Sequence, residues 1–468
     1  MYFADLVFIY LFLPANVALY YISKNTVYRN VILLAFSLYF YAWGEPIWIS
    51  LLIFSAVADY IHGLIIEKHR GKLGAKLAVV SSLVVNLGLL STFKYSGLIV
   101  ETVNSVLKTG FDVPSFALPV GISFYTFQTI SYTIDVYRDE VKPQHDFVKF
   151  LLFVSLYHQL VAGPIVRYSE IGDRIENRTE SWSEVSAGIN RFLIGLFKKS
   201  FVANIAGKLS EPYLAAENLS SLSSLGAWFG IILFALQIYY DFSGYSDMAI
   251  GLGHMFGFNH PENFRYPYIS RSATEFWRRW HITLGGFFRD YLYIPLGGNR
   301  KYMVRNLLIT WFATGLWHGA SWNFVVWGLY YGLLILIERV LLGKYLEKLP
   351  RVFSHIYLTV IMLVGWVFFS FTDLSAAFVY IGRMFFIGGA AYDMSCLFDI
   401  WGNIIWLAVS IAFCLPIVPL LCEIWSTVPE DKQIKFVWVR PIFNLAVLTI
   451  CTALLVGQSY NPFLYFRF

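Results

Sequence analysis

"LLITWFATGLWHGASWNFVVWGLYYGLLILI", residues 307–337, contains no Asp, Glu, Lys or Arg and a single histidine, His318. A bilayer core about 30 Å thick is crossed by roughly 20 apolar residues, so a stretch of this length has lipid as its natural surroundings. An imidazole placed there finds almost no water to solvate it. The stretch therefore sets both the fold class and the functional question, which is why one polar ring is kept in its middle.

The remainder of the chain reads the same way. Of 468 residues, 57% are hydrophobic, 19% aromatic and only 14% charged, with a mean hydropathy of +0.59. A soluble protein carries about 25% charged residues, so these values describe an all-α, polytopic membrane protein, read as one integral domain over 1–468. Apolar runs at 3–22, 30–43, 46–66, 76–93, 118–137, 148–166, 224–240, 245–258, 306–338, 355–371, 375–388, 400–425 and 440–458 are candidate spans. Several are short or interrupted. Those around Pro46, Pro164 and Gly244–Gly257 predict half-helices or re-entrant pieces, which a membrane tolerates where protein covers them or where they line a cavity. The expectation is about ten to twelve crossings, with re-entrant and interfacial helices beside them. The opening "MYFADLVFIYLFLPANVALY" lacks a basic start and a small-residue cleavage site, and reads as a retained span rather than a signal peptide.

The net charge of +5 is modest, and its basic residues cluster between apolar runs. Lys24 and Arg29, then Lys68, Arg70, Lys72 and Lys76, then Arg138 and Lys142 follow alternate spans, which predicts an outside N-terminus and cytoplasmic loops at those positions. Such a distribution makes membrane lipid the partner and argues against nucleic acid. The segment 189–209, "INRFLIGLFKKSFVANIAGKL", alternates apolar positions with Arg191, Lys198, Lys199 and Lys208, a pattern suited to a helix lying on the membrane surface. Cys396, Cys414, Cys422 and Cys451 match no zinc or disulfide spacing and read as small packing residues.

Candidate chemistry falls in three places. Residues 276–306 hold Arg278, Arg279, Arg289, Arg300, Lys301 and Arg305 against one acid, Asp290. The positive-inside rule puts this segment on the cytoplasmic face. Its arginine forks and the Gly297–Gly298 amides suit the phosphates of a coenzyme A thioester, and suit anionic headgroups equally well. In the apolar stretch itself, Thr310, Thr314, His318 and Ser321 recur at intervals of four, four and three, which predicts one polar stripe beside Trp317. Gly315 and Gly319 would admit a close neighbouring helix. If residue 306 is near the cytoplasmic boundary, His318 lies about 18 Å deeper, at 1.5 Å per residue. An ionisable residue at that depth is a functional candidate, and a neutral imidazole is a competent general base. The third place is 236–253, where Asp241 and Tyr245, and Ser243 and Asp247, stand four apart among glycines; these acids are read as orienting a histidine or pairing with an arginine of 278–305. His158 precedes a Gly-Pro break, and no HExxH, Walker or GxSxG motif is present.

Six stretches together resemble the membrane-bound O-acyltransferases, in particular the bacterial branch typified by the membrane subunit of alginate O-acetylation. They are "LPVGISFYTFQTISYTIDVYR" (118–138), "LVAGPIVRYSE" (160–170), "YYDFSGYSDMAIGLG" (239–253), "NFRYPYISRSATEFWRRWHITLGGFFRDYLYIPLGGNR" (263–300), "WHGASWNFVVWG" (317–328) and "NPFLYFRF" (461–468). The resemblance implies a helical bundle around a central tunnel, with His318 as the essential tunnel histidine and His281 at the upstream motif position, where other branches often carry asparagine. It implies transfer of an acyl group, acetyl in the first place, from a cytoplasmic thioester such as acetyl-CoA, with no tightly bound cofactor and no metal. An extracytoplasmic partner protein would carry the group to a cell-surface polysaccharide, from a multi-pass position in the bacterial cytoplasmic (inner) membrane. Candidate donor-binding or tunnel residues are Arg278, Arg279, Trp280, Arg289, Asp290, Asn299, Trp317, Ser321, Asn323, Asp241, Tyr245 and Asp247. D-alanyl transfer from a carrier protein is the alternative within the family. A secondary transporter is the alternative outside it, although such carriers often show two related halves and none is evident here. A scaffold for a polysaccharide synthase would leave the His318 stripe unexplained.

Overall fold

The computed structural model describes residues 1–426, 438–457 and 463–464. Those residues form helices and no strands. The terminal motif 461–468 lies outside them except for Phe463 and Leu464, as does the side chain of Cys422. Chain contacts divide the molecule into two units: one comprises Met1–Gly195 and Tyr245–Glu262, the other Leu196–Gly244 and the described residues from Asn263 onward.

In the first unit, α1 (Ile49–Lys68) packs against α2 (Leu73–Leu90) and α3 (Ile122–Arg138). The interface is polar. Asp59 is fully buried and accepts hydrogen bonds from Ser82 and Asn86 at 2.6 Å each, with His62 at 3.1 Å. Buried charge survives only with such partners. Thirteen of the 17 residues of α3 are buried, including Thr126, Gln128, Thr129, Ser131 and Thr133. Enclosure on all sides explains how a helix this polar sits within an otherwise apolar unit. The predicted surface helix at 189–209 is made of the end of α4 (Trp182–Phe197), a wide turn at Lys198–Ala203 and the start of a helix at Asn204–Leu214. It does not simply lie on lipid, because Arg191 turns to Asp247 and Glu262, both at 2.7 Å.

A single helix, α5 (Ser224–Met255), runs through the two segments expected as separate pieces at 224–240 and 245–258. Its glycines do not break it. Instead Gly251 lets another chain segment come close, since a methyl there would lie 2.6 Å from the Gly188 carbonyl oxygen.

The second unit holds the apolar stretch from which the sequence was read. It is folded as a hairpin of α6 (Met303–His318) and α7 (Trp322–Ile337), joined by Gly319–Ser321. Gly315 faces Gly328 and Trp311 faces Gly332, a register that only antiparallel helices give. The approach is close, because a methyl at Gly315 would sit 2.3 Å from the Phe324 carbonyl oxygen and one at Gly328 2.3 Å from that of Trp311. The hairpin then rests on α8 (Arg351–Ser370), where Asn323 donates to the Phe368 carbonyl at 3.0 Å and Tyr330 to that of Ile361 at 2.7 Å.

Among the described residues, five helices are able by length and hydropathy to cross a membrane alone, or six if the bent pair Met394–Gly402 and Ile404–Ala412 counts as one. The ten to twelve crossings expected from apolar runs are therefore not all single straight helices. The run 148–166 breaks at Leu156, the run 3–22 begins in a wide turn, and α6 is only about 24 Å long. Multi-pass membrane character stands, carried in part by shorter and bent pieces.

Candidate active site

The site is assembled by residues of the second unit alone. Between Arg271 and Glu347 they line a cleft of about 920 Å³, within the size range of small-molecule sites. Its framework is fixed by Glu338, whose buried carboxylate accepts from the backbone amides of Ala273 and Thr274 at 2.6 and 2.9 Å and from the Thr274 hydroxyl at 2.7 Å. With Glu338, the lining holds Glu275 and Glu347 against five basic residues, Arg271, Arg278, Arg289, Arg339 and Lys344, a positive balance. Arg271, Arg278 and Lys344 reach the cleft with no carboxylate partner among the described residues, so the rim is electropositive.

His281 forms part of the cleft wall and is 1% exposed. It stands at the start of a short helix (Ile282–Phe288) in the left-handed conformation, φ 44°. For a residue with a Cβ that conformation costs about 1–2 kcal/mol, so the surroundings hold it there. Asn263 does the holding. Its side-chain oxygen lies 3.0 Å from Nδ1 of His281 and accepts from the Thr283 hydroxyl at 2.9 Å, while its backbone oxygen receives the Ile282 amide at 3.0 Å. An oxygen acceptor at Nδ1 fixes the proton on that nitrogen and leaves Nε2 as the basic one. The segment carrying His281 contains none of the crossing helices, and burial pushes its imidazole down to about 3, so the ring is neutral near pH 7.

His318 is the last residue of α6 and is 3% exposed. Thr310 and Thr314, two turns and one turn before it, line the cleft. Trp317 stands between the two histidines, its ring centroid 5.7 Å from that of His281 and 5.1 Å from that of His318. Trp327 and Phe369 complete the His318 surround at 4.7 and 5.5 Å. The cleft reaches His281 and Thr314; His318, expected to line a central tunnel, is not one of its lining residues and lies one turn beyond Thr314, walled by aromatic rings.

The other candidates separate into those the fold brings to the cleft and those it does not. Arg278, Trp280, Arg289 and Asn299 line it. Arg289 is held by Asp290 at 2.6 Å, and Asn299 accepts from Tyr293 and Arg339. Arg279 is committed to Glu275 at 2.9 Å and to the Arg265 carbonyl. Asn323 braces α7 against α8, and Ser321 begins α7 rather than continuing the Thr310, Thr314, His318 stripe. The loop at Gly319 interrupts the helix that the 4-4-3 spacing presumed. Asp241 pairs with the buried Lys199 at 2.5 Å and accepts the Leu464 amide at 2.6 Å, in place of an arginine from 278–305. Asp247 belongs to Arg191, and Tyr245 stacks on Phe3 at 4.5 Å. Both lie in the first unit.

Sequence reading missed Asn263, Trp277 and Trp311. The last two line the cleft and face each other at 5.0 Å. Their only signal was the density of tryptophan around 277–327, which equally describes a packed core.

Comparison with known proteins identifies the family. Residues 122–372 match the model of the MBOAT, membrane-bound O-acyltransferase, family. The probable alginate O-acetylase of Pseudomonas putida is 36% identical over the whole of both chains. The peptidoglycan O-acetyltransferase of Helicobacter pylori is 30% identical, covering 98% of this chain and 96% of its own. The teichoic acid D-alanyltransferase of Streptococcus thermophilus is 30% identical over 48% of this chain and 58% of its own. This chain belongs to the membrane-bound O-acyltransferase family. It is a multi-pass membrane enzyme of acyl transfer, and its relatives act on cell-envelope polymers.

Proposed function

We propose that this enzyme moves an acetyl group from a cytoplasmic thioester, acetyl-CoA in the first place, to a hydroxyl on the far side of the bacterial cytoplasmic membrane, for O-acetylation of a cell-surface polysaccharide. The observation that carries this reading is the line from the electropositive cleft rim, through His281 and Thr314, to His318 beyond. Arg271, Arg278 and Lys344 would hold the phosphates of the donor, since guanidinium forks suit phosphate oxygens. His318 accepts the proton of the acceptor hydroxyl as its oxygen attacks the thioester carbonyl. The C–O bond forms, the C–S bond breaks, and the proton passes from His318 to the departing thiolate. His281, neutral and fixed by Asn263, orients a reactant. An extracytoplasmic partner protein receives the acetyl group or passes it to the polysaccharide.

Acetyl is favoured over D-alanyl because the acetylase relatives align along the full length, whereas the D-alanyltransferase aligns over about half. The test is release or transfer of labelled acetyl from acetyl-CoA by the purified protein in detergent. His318→Ala is expected to lower the rate by about 100-fold or more, the usual contribution of general base catalysis, with an unchanged gel-filtration profile. Full activity of that variant would sink the role of His318.

A further inference from the structure

Two indoles stand between the cleft and His318. Trp277 lines the cleft, and its ring meets Trp327 edge-on at 5.4 Å. Trp327 in turn is 0% exposed and lies 4.7 Å from the His318 ring. The Nε1 atoms of both tryptophans are buried, and neither has a hydrogen-bond acceptor among the described residues. Indole N–H is a donor only, so nothing but an oxygen or another acceptor satisfies it. Leaving such a donor empty in a water-poor interior is costly, and buried Tyr and Trp polar atoms ordinarily find partners. Phe would supply the same apolar surface without that cost. The acceptor missing from this place is therefore one that arrives with the substrate.

We propose that the indole N–H groups of Trp327 and Trp277 receive the carbonyl oxygen of the acyl group and stabilise it as it becomes an oxyanion. This rests on the acyl-transfer reading and adds to it the groups that bear the developing charge. The acceptor oxygen attacks the carbonyl carbon, the C=O electron pair moves onto the oxygen, and both N–H groups donate to it. Collapse of the intermediate returns the pair and expels the thiolate, with the proton delivered through His318. Donors placed beforehand in a low-dielectric site act on the transition state more than on the bound thioester.

The experiment removes each indole N–H in turn. Trp327→Phe is expected to lower kcat by about 100-fold to 1,000-fold, the usual effect of removing one such donor, with KM little changed. Trp277→Phe is expected to give a smaller loss. Trp327 is also replaced by 3-benzothienylalanine, which keeps the bicyclic shape and substitutes sulfur for N–H, so that it carries the test if the Phe variant does not fold. A loss of kcat in this isostere, at an unaltered melting temperature, supports the proposal. Wild-type kcat in the isostere overturns it. His318→Ala in the same assay separates the two readings: an active His318→Ala variant sinks the base role, whereas an inactive one beside a fully active isostere sinks only the indole donors.

Discussion

His281 owes its position to one side chain eighteen residues earlier. Asn263 fixes the backbone turn, the ring's orientation and its tautomer together, in the way that a hydrogen-bonded orienting group supports a working histidine in other enzymes. Asn263→Ala is expected to remove about 1–2 kcal/mol of this support, which corresponds to roughly a tenfold lower kcat. Asn263→Asp, which keeps an acceptor at the same place, is expected to recover part of the rate. Steady-state kinetics on the two variants checks this, and equal rates for Asn263→Ala and wild type would remove Asn263 from the site. At this scale His318 stood out in the sequence as a lone imidazole beside Trp317 in an apolar stretch, whereas His281 was singled out only by the resemblance. Asn263 was not singled out. Its importance comes from a left-handed residue far along the chain, and φ leaves no trace in composition.

The helical hairpin explains a different kind of error. Hydropathy runs without interruption from residue 307 to residue 337, so periodicity extends a single stripe through Ser321. The break depends on Gly319, whose Cβ would lie 2.2 Å from the Phe324 ring, and on packing of the two arms that no local pattern encodes. Gly315 and Gly328 are the points of closest approach. Gly315→Val is expected to overpack the arms and cost about 1–3 kcal/mol or more. The check is a fall in melting temperature in detergent together with lost activity. A variant as stable as wild type would mean that the hairpin is looser than described. The pairings of Lys199 with Asp241 and of Arg191 with Asp247 escaped sequence reading for a related reason: each joins residues more than forty positions apart, and the nearer arginines of 278–305 were the more obvious partners.

For the whole molecule, composition settled the solvent, and ordered motifs along nearly the full chain settled the family. The number of crossings was less legible, because a run of apolar residues is the same in sequence whether it crosses straight, bends or turns back. From the basic loops we propose an orientation in which the 276–306 segment faces the cytoplasm. In a variant with its native cysteines replaced, Arg300→Cys is expected to react with a membrane-impermeant maleimide only after the cells are opened. Labelling of intact cells would reverse the direction of transfer proposed above.

The cleft wall is drawn entirely from the stretch between Arg271 and Glu347. Its catalytic vocabulary is thus written consecutively in the chain, and no lining residue is borrowed from the first 195 positions. Drift in that long N-terminal portion leaves every lining side chain in place, so the two parts of the chain are free to change at different rates.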